Sequence, residues 1–315
     1  MINTVLGPID KEKLGLTLAH EHIQWISDEQ VSYDMYYSNK YNDSSINKSF
    51  QVIFPLLMSL KEKGIQSVVE ASPPIGGQNI KLLYRLSKET GVHIIPCTGW
   101  NVAKEMIEVF PDRFKDQLVR RWVRDYEEGL GIVEDHIVRP SYIKLLLSKV
   151  QLHKADKEML KAAIETSKKT GMAIHCHILQ AKSISHVLEL LEENNMDMSR
   201  FIWAHADKEA DKETIIQVLE RGAYIGIDNV VNEHYKKCFE LLKWAIERGY
   251  KDRIFLSEDL DFYEEARNKN GSKSGKLISD FLPYCKSRGI SKEVLDYILI
   301  NNPAEFYNIK QCKEL

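Results

Sequence analysis

No stretch of this chain is apolar for long enough to cross a membrane. The longest hydrophobic runs are strand-length, well short of the roughly 18 residues such a helix needs. There is no basic tract and no interleaved basic-aromatic stripe, and the formal net charge is -3. Nucleic acid is therefore not an expected partner. No Cys-x-x-Cys pair occurs, and the five cysteines, Cys97, Cys176, Cys238, Cys285 and Cys312, are scattered and odd in number. That usage fits reduced thiols in a cytoplasmic protein rather than a disulfide frame. The N-terminus has no basic region followed by a long apolar stretch, so no secretory leader is expected. What the chain does have is core: 43% of its 315 residues are hydrophobic and 28% charged. No linker or composition break divides it, and a single domain over residues 1–315 is expected.

Past a polar segment at residues 27–48, rich in Tyr, Asn, Asp and Ser, strand and helix patterns alternate. The tyrosines there (Tyr33, Tyr36, Tyr37, Tyr41) either line a pocket or belong to a surface excursion. Strands are expected at Leu14–His22, Gly64–Ala71, Val92–Trp100, Ser141–Leu146, Met172–Ile178, Phe201–Asp207, Ala223–Asp228 and Arg253–Asp259. Helix patterns separate them, two closed by Gly91 and Gly171. Apolar strands joined by helical crossovers are parallel and covered on both faces. Eight such units predict a (β/α)8 barrel. The alternative, an open doubly wound sheet, lacks its nucleotide signature, because no Gly-x-Gly-x-x-Gly follows a strand.

In a (β/α)8 barrel the active site lies at the C-terminal strand ends. The first strand ends in His20-Glu21-His22, whose imidazoles share one face of the strand. The fourth carries Lys144, the fifth His175-Cys176-His177, the sixth His205-Ala206-Asp207 and the eighth Asp259. These are ligand types of a borderline metal. A lysine in such company either snorkels or pairs with an acid, or it loses its charge by desolvation and adds carbon dioxide to form an anionic carbamate. Trp100, at the third strand's exit, walls the pocket or packs in the core. Tyr142 is a further candidate for substrate contact, and His175 either supports a ligand, touches substrate or is simply a packed histidine.

The motifs Leu6-Gly7-Pro8-Ile9, Leu14 to His22, Cys97-Thr98-Gly99-Trp100, Tyr142-Ile143-Lys144, Thr170-Gly171 with His177, His205-Ala206-Asp207, Gly226-Ile227-Asp228, Ser257-Glu258-Asp259 and Asn302-Pro303-Ala304 occur in one order along the chain. Together they resemble the phosphotriesterase-like family of the amidohydrolase superfamily. The resemblance implies a (β/α)8 barrel holding two divalent metals, often zinc, with manganese, cobalt or iron as alternatives. It implies that His20, His22 and Asp259 hold the buried metal and that His177 and His205 hold the exposed one. It implies too that carboxylated Lys144 bridges them. The chain departs from the family at Gly76-Gly77-Gln78-Asn79, where many members carry a basic residue, and at Tyr235-Lys236-Lys237, near a common arginine.

A metal pair of this kind can share one hydroxide, with Asp259, Lys144 and His205 as the catalytic set. Asp207 either extends a proton path or only orients a ligand. The expected reaction is hydrolysis of a small molecule, foremost a lactone or other carboxylic ester, with an N-acyl amide or phosphotriester as alternatives. A barrel that binds a small molecule without turnover, or a lyase or isomerase, are the competing readings. The loop at residues 260–276 ends rich in Lys and Arg (Arg267, Lys269, Lys273, Lys276) and is either solvated or meets an anionic substrate. A homodimer is compatible with all of this.

Overall fold

The computed structural model describes residues 1–26, 43–100, 114–147, 152–208, 211–231, 235–269 and 271–310. A small antiparallel hairpin comes first, β1 (Ile2–Thr4) and β2 (Gly7–Ile9). The barrel follows. Its strands are β3 (Thr17–Glu21), β4 (Ser67–Glu70), and β5 (His93–Ile95) continued as β6 (Cys97–Trp100). A second hairpin, β7 (Gly131–Val133) and β8 (His136–Val138), precedes β9 (Tyr142–Leu146). Then come β10 (Ala173–His177), β11 (Phe201–Ala204), β12 (Tyr224–Ile227) and β13 (Ile254–Leu256). Neither hairpin shows in the apolar pattern, because each strand has only three residues.

All barrel neighbours are parallel, as the helical crossovers require. The expected third strand is split at Pro96, which has no N–H to give to a ladder. Its first half, β5, pairs back to β4, and its second half, β6, pairs forward to β9. The remaining seam, between β13 and β3, is closed by the segments just beyond the strands. Asp259 N–H donates to His20 O (3.2 Å), His22 N–H to Leu260 O (2.9 Å) and Phe262 N–H to His22 O (2.8 Å). The ring therefore closes on the residues at which the sequence put its ligands.

Outer helices α1 (Asp43–Glu62), α2 (Ile80–Thr90), α3 (Phe114–Glu127), α4 (Lys154–Thr170), α5 (Ala181–Glu193), α6 (Lys212–Glu220) and α7 (Tyr235–Glu247) flank the strands. Gly91 and Gly171 end α2 and α4 with φ of 70° and 75°, as their positions predict. The polar run before Val52 proved partly helical. α1 begins at Asp43, burying Ile46, Ser49 and Phe50 between exposed polar neighbours. The tyrosines Tyr33, Tyr36, Tyr37 and Tyr41 lie outside the described residues. The expected loop after β13 is partly helical too, as α8 (Phe262–Arg267), capped by the Asp261 side chain.

Two apolar layers result. One fills the space between strands and helices. The other fills the barrel, where Val69, Tyr142, Ile202 and Phe255 meet residues from below. The chain's last turns, α9 (Leu282–Ser287), α10 (Lys292–Asp296) and α11 (Asn302–Tyr307), supply that floor through Phe306 and Tyr307. Ile309 N–H donates to Met1 O at 3.0 Å, so both ends of the described chain meet under the barrel. Among the described residues no helix is long and apolar enough to cross a membrane.

Candidate metal centre

Each site residue reaches the mouth for a local reason. His20 lies in β3, whose register against β4 shifts between Leu18 and Glu21. Such a shift re-aims side chains at a barrel rim. Lys144 sits in β9 opposite Gly99 of β6. Gly99 has φ +132°, and a Cβ there would meet Lys144 O at 1.8 Å. Only glycine allows these two strands so close. His205 and Asp259 follow the last residues of β11 and β13 with φ of 66° and 52°. Left-handed backbone at non-glycine residues costs energy and concentrates at functional sites.

One carboxylate oxygen, Asp259 Oδ1, is 3.6 Å from Nε2 of His20 and 3.6 Å from Nε2 of His22. Two donors on one tetrahedral zinc, each at about 2.1 Å, would stand roughly 3.4 Å apart, so this spacing suits a shared ion. Lys144 Nζ is 2.7 Å from His20 Nε2. On the other side His177 Nδ1 faces His205 Nε2 at 2.7 Å. His177 Nε2 and His205 Nδ1 are buried without a hydrogen-bond partner. His22, Lys144, His177 and Asp259 open onto a cavity of about 350 Å³, whose apolar walls include Trp25, Pro73, Leu146 and Leu179.

Burial decides the charges here. It pushes the imidazoles of His20, His175 and His177 far below the usual histidine range, and that of His205 to about 3. All four are neutral at pH 7, the state in which imidazole offers a lone pair. Burial lowers Lys144 to about 8, against the pull of Asp259. Burial works to raise Asp259, but His205 and His22 outweigh it and hold its carboxyl below the usual range.

A family model described as the phosphotriesterase family matches residues 1–307 of this sequence. The chain belongs to the phosphotriesterase family. It is similar to an N-acetyltaurine hydrolase from Xenopus tropicalis, 25% identical with 98% of each chain covered. It is also similar to the phosphotriesterase homology protein of Escherichia coli K12, 23% identical over 93% of this chain and 98% of that one. A phosphotriesterase homology protein of Mycobacterium tuberculosis is 23% identical with 97% of each chain covered.

The donor set of this phosphotriesterase-family barrel fits a metal. His20, His22 and Asp259 each place a ligand atom within 4.8 Å of the others, as do His20, His205 and Asp228. Asp228, in Gly226-Ile227-Asp228, directly follows β12 and was not among the expected ligands. Its Oδ2 accepts His205 N–H at 2.8 Å and lies 3.3 Å from His205 Nδ1. Two more carboxylates of the rim act as splints. Glu21, between the two histidines, accepts N–H from Glu258 (2.8 Å) and Leu260 (3.0 Å). Glu258 in turn accepts N–H from Gly275 (2.8 Å) and Leu277 (2.7 Å). Sequence shows a glutamate at these places but not which way it turns.

Other expected site residues sit elsewhere. Tyr142 is fully buried below the mouth, and its hydroxyl donates to Glu70 O at 2.6 Å. His175 is buried beneath His20 and does not line the cavity. Neither touches the space a substrate would use. The Trp100 side chain lies outside the described residues. Asp207 turns away from the mouth to accept Asp228 N–H (3.1 Å) and Asn229 Nδ2 (2.9 Å), which fixes the loop after β12. Arg267 pairs with Glu264 at 3.3 Å, and neither it nor Lys269, Lys273 or Lys276 lines the cavity. Lys208 does not line the cavity either, but its Nζ lies 3.6 Å from Asp259 Oδ2.

Proposed function

We propose that this metal-dependent hydrolase cleaves the acyl bond of a small N-acyl amide or carboxylic ester, using two divalent ions, zinc foremost. Asp259 Oδ1, equidistant from two Nε2 atoms beside a buried lysine, is the observation that carries the reading. His20, His22 and Asp259 would hold one ion and His177 and His205 the other, with Lys144 between them as its carbamate. When bound, the ions supply Lewis acidity and a water activated near neutral pH.

The chain's own groups do the rest. The apolar walls, Trp25, Pro73, Leu146 and Leu179, hold the substrate and exclude bulk water. Asp259 Oδ2 lies 3.6 Å from His205 Nδ1 and 3.6 Å from Lys208 Nζ. It takes the proton lost as water adds to the acyl carbon and returns it to the leaving nitrogen or oxygen when that bond breaks. The products are a carboxylate and an amine or alcohol. Lys208 Nζ, beside Asp259 Oδ2, would meet an anionic group on a substrate that reaches that oxygen.

The amide form of the reading is supported by the chain's similarity to N-acetyltaurine hydrolases such as that of Xenopus tropicalis. A lactone remains the second reading, supported by the apolar walls. The test is a panel of N-acyl amides, lactones and phosphotriesters, assayed with zinc and with chelator. Chelator-sensitive turnover of amides or carboxylic esters supports the proposal. Turnover of phosphotriesters alone, or ligand binding without turnover of any member, overturns it.

A further inference from the structure

We propose that His175 and Tyr307 form a strut that holds His20 in the tautomer with its Nε2 lone pair facing the metal site. Both are then positioning residues, and Tyr307 carries the influence of the barrel floor to the mouth. The inference rests on reading His20 as a ligand.

Four groups in line make the argument. Tyr307 OH is 3.1 Å from Ala19 O and 2.8 Å from His175 Nδ1. His175 Nε2 is 3.2 Å from His20 Nδ1. A phenol has one proton, and a carbonyl can only accept. If Tyr307 donates to Ala19 O, its oxygen must accept from His175, so His175 carries N–H at Nδ1. Its Nε2 is then an acceptor, and His20 must donate from Nδ1. Every group in the chain is satisfied, and His20 Nε2 keeps its lone pair.

The reverse arrangement fails at both ends. Tyr307 would donate to His175 and give nothing to Ala19 O. His20 would turn a bare Nδ1 toward Asp228 Oδ2, 3.6 Å away, and an N–H toward Lys144 and Asp259. A lone pair facing a carboxyl oxygen is unfavourable, and an Nε2–H cannot ligate a metal. The strut is rigid as well. The His20 and His175 rings meet edge to face with centroids 4.7 Å apart, and all three side chains are fully buried or nearly so. Outer partners that fix a ligand's tautomer typically change metal affinity about 10–100-fold.

Two measurements test this on the full chain. In metal-free protein, long-range nitrogen–proton spectra of the histidine rings should show both His20 and His175 protonated at Nδ1. A His20 ring protonated at Nε2 would overturn the proposal, whatever the enzyme hydrolyses. Zinc titration against a competing chelator should show one of two sites weakened about 10–100-fold in His175→Leu. His175→Gln, whose Oε1 can still accept from His20, should fall by much less. Unchanged zinc affinity in a folded His175→Leu, or equal losses in the two variants, would sink it. Should His175→Leu not fold, Tyr307→Phe keeps the ring packing and removes only the hydroxyl. Its His175 ring should then lose the fixed Nδ1 proton, and an unchanged ring there would also count against the strut.

Discussion

Lys144 Nζ lies 2.7 Å from Nε2 of His20, a residue 124 positions earlier, and both are buried. An ammonium beside two metal ions would repel them; a neutral amine there can take up carbon dioxide. Burial has already lowered Lys144 to about 8. Lys144→Ala should therefore lose turnover by several orders of magnitude while its circular dichroism stays that of wild type. A short carboxylic acid added to the buffer should restore part of the rate by standing in for the carbamate. A variant as active as wild type would remove the bridge from the mechanism.

The same lysine sets a pH dependence in the metal-free protein. Its folded pKa, about 8, is below the ordinary 10.5, so the unfolded chain binds more protons between those values. Stability should then rise with pH across that window, by up to roughly 3 kcal/mol relative to Lys144→Met. Denaturant melts of metal-free protein at pH 8 and pH 10 measure the difference. A wild-type curve that tracks Lys144→Met would mean the amine is not desolvated.

Asp259→Asn separates chemistry from folding. Asparagine tolerates the left-handed backbone of this position, φ 52°, better than most residues. The fold should hold. Turnover should fall at least about 100-fold, the usual worth of a positioned acid–base group. A steady-state assay beside a thermal melt checks both halves.

Gly99→Ala strikes the approach of β6 to Lys144. The new methyl would meet Lys144 O at 1.8 Å, at φ +132°. We expect a loss of more than about 3 kcal/mol, in the range of strain and overpacking combined, or no soluble protein. Urea denaturation decides it, and a loss under about 1 kcal/mol would show that the strands can part.

Lys208→Met should leave neutral substrates almost untouched and raise KM for those bearing a carboxylate or sulfonate. An ion pair near the surface, worth about 1 kcal/mol, predicts a change of roughly fivefold. Equal effects on charged and neutral substrates would instead assign Lys208 to holding Asp259.

The barrel was legible because its strands are apolar and evenly spaced by amphipathic helices with glycine stops. The three-residue hairpins were not, because so short a strand has no period. The start of α1 was hidden by the polar residues on its exposed face, with Ile46 as the one apolar residue before Phe50. His20, His22, His177, His205, Lys144 and Asp259 all come to one mouth, since each lies in or just beyond a barrel strand and parallel strands all point the same way. Asp228, Glu21 and Tyr307 escaped the reading for a different reason. Their parts depend on which way a buried polar atom turns, and that is set by neighbours as much as 288 residues away, as in the Tyr307 bond to Ala19.

Cys97, Cys176, Cys238 and Cys285 are all buried, and burial raises each thiol toward or beyond the top of its range. Protonated sulfur shielded by helices reacts slowly with alkylating reagents. Labelling of these four positions should thus act as a clock for the opening of the folded chain. Cys97 and Cys176, inside the strands, would run slowest, and a zinc-loaded sample would run slower than a stripped one.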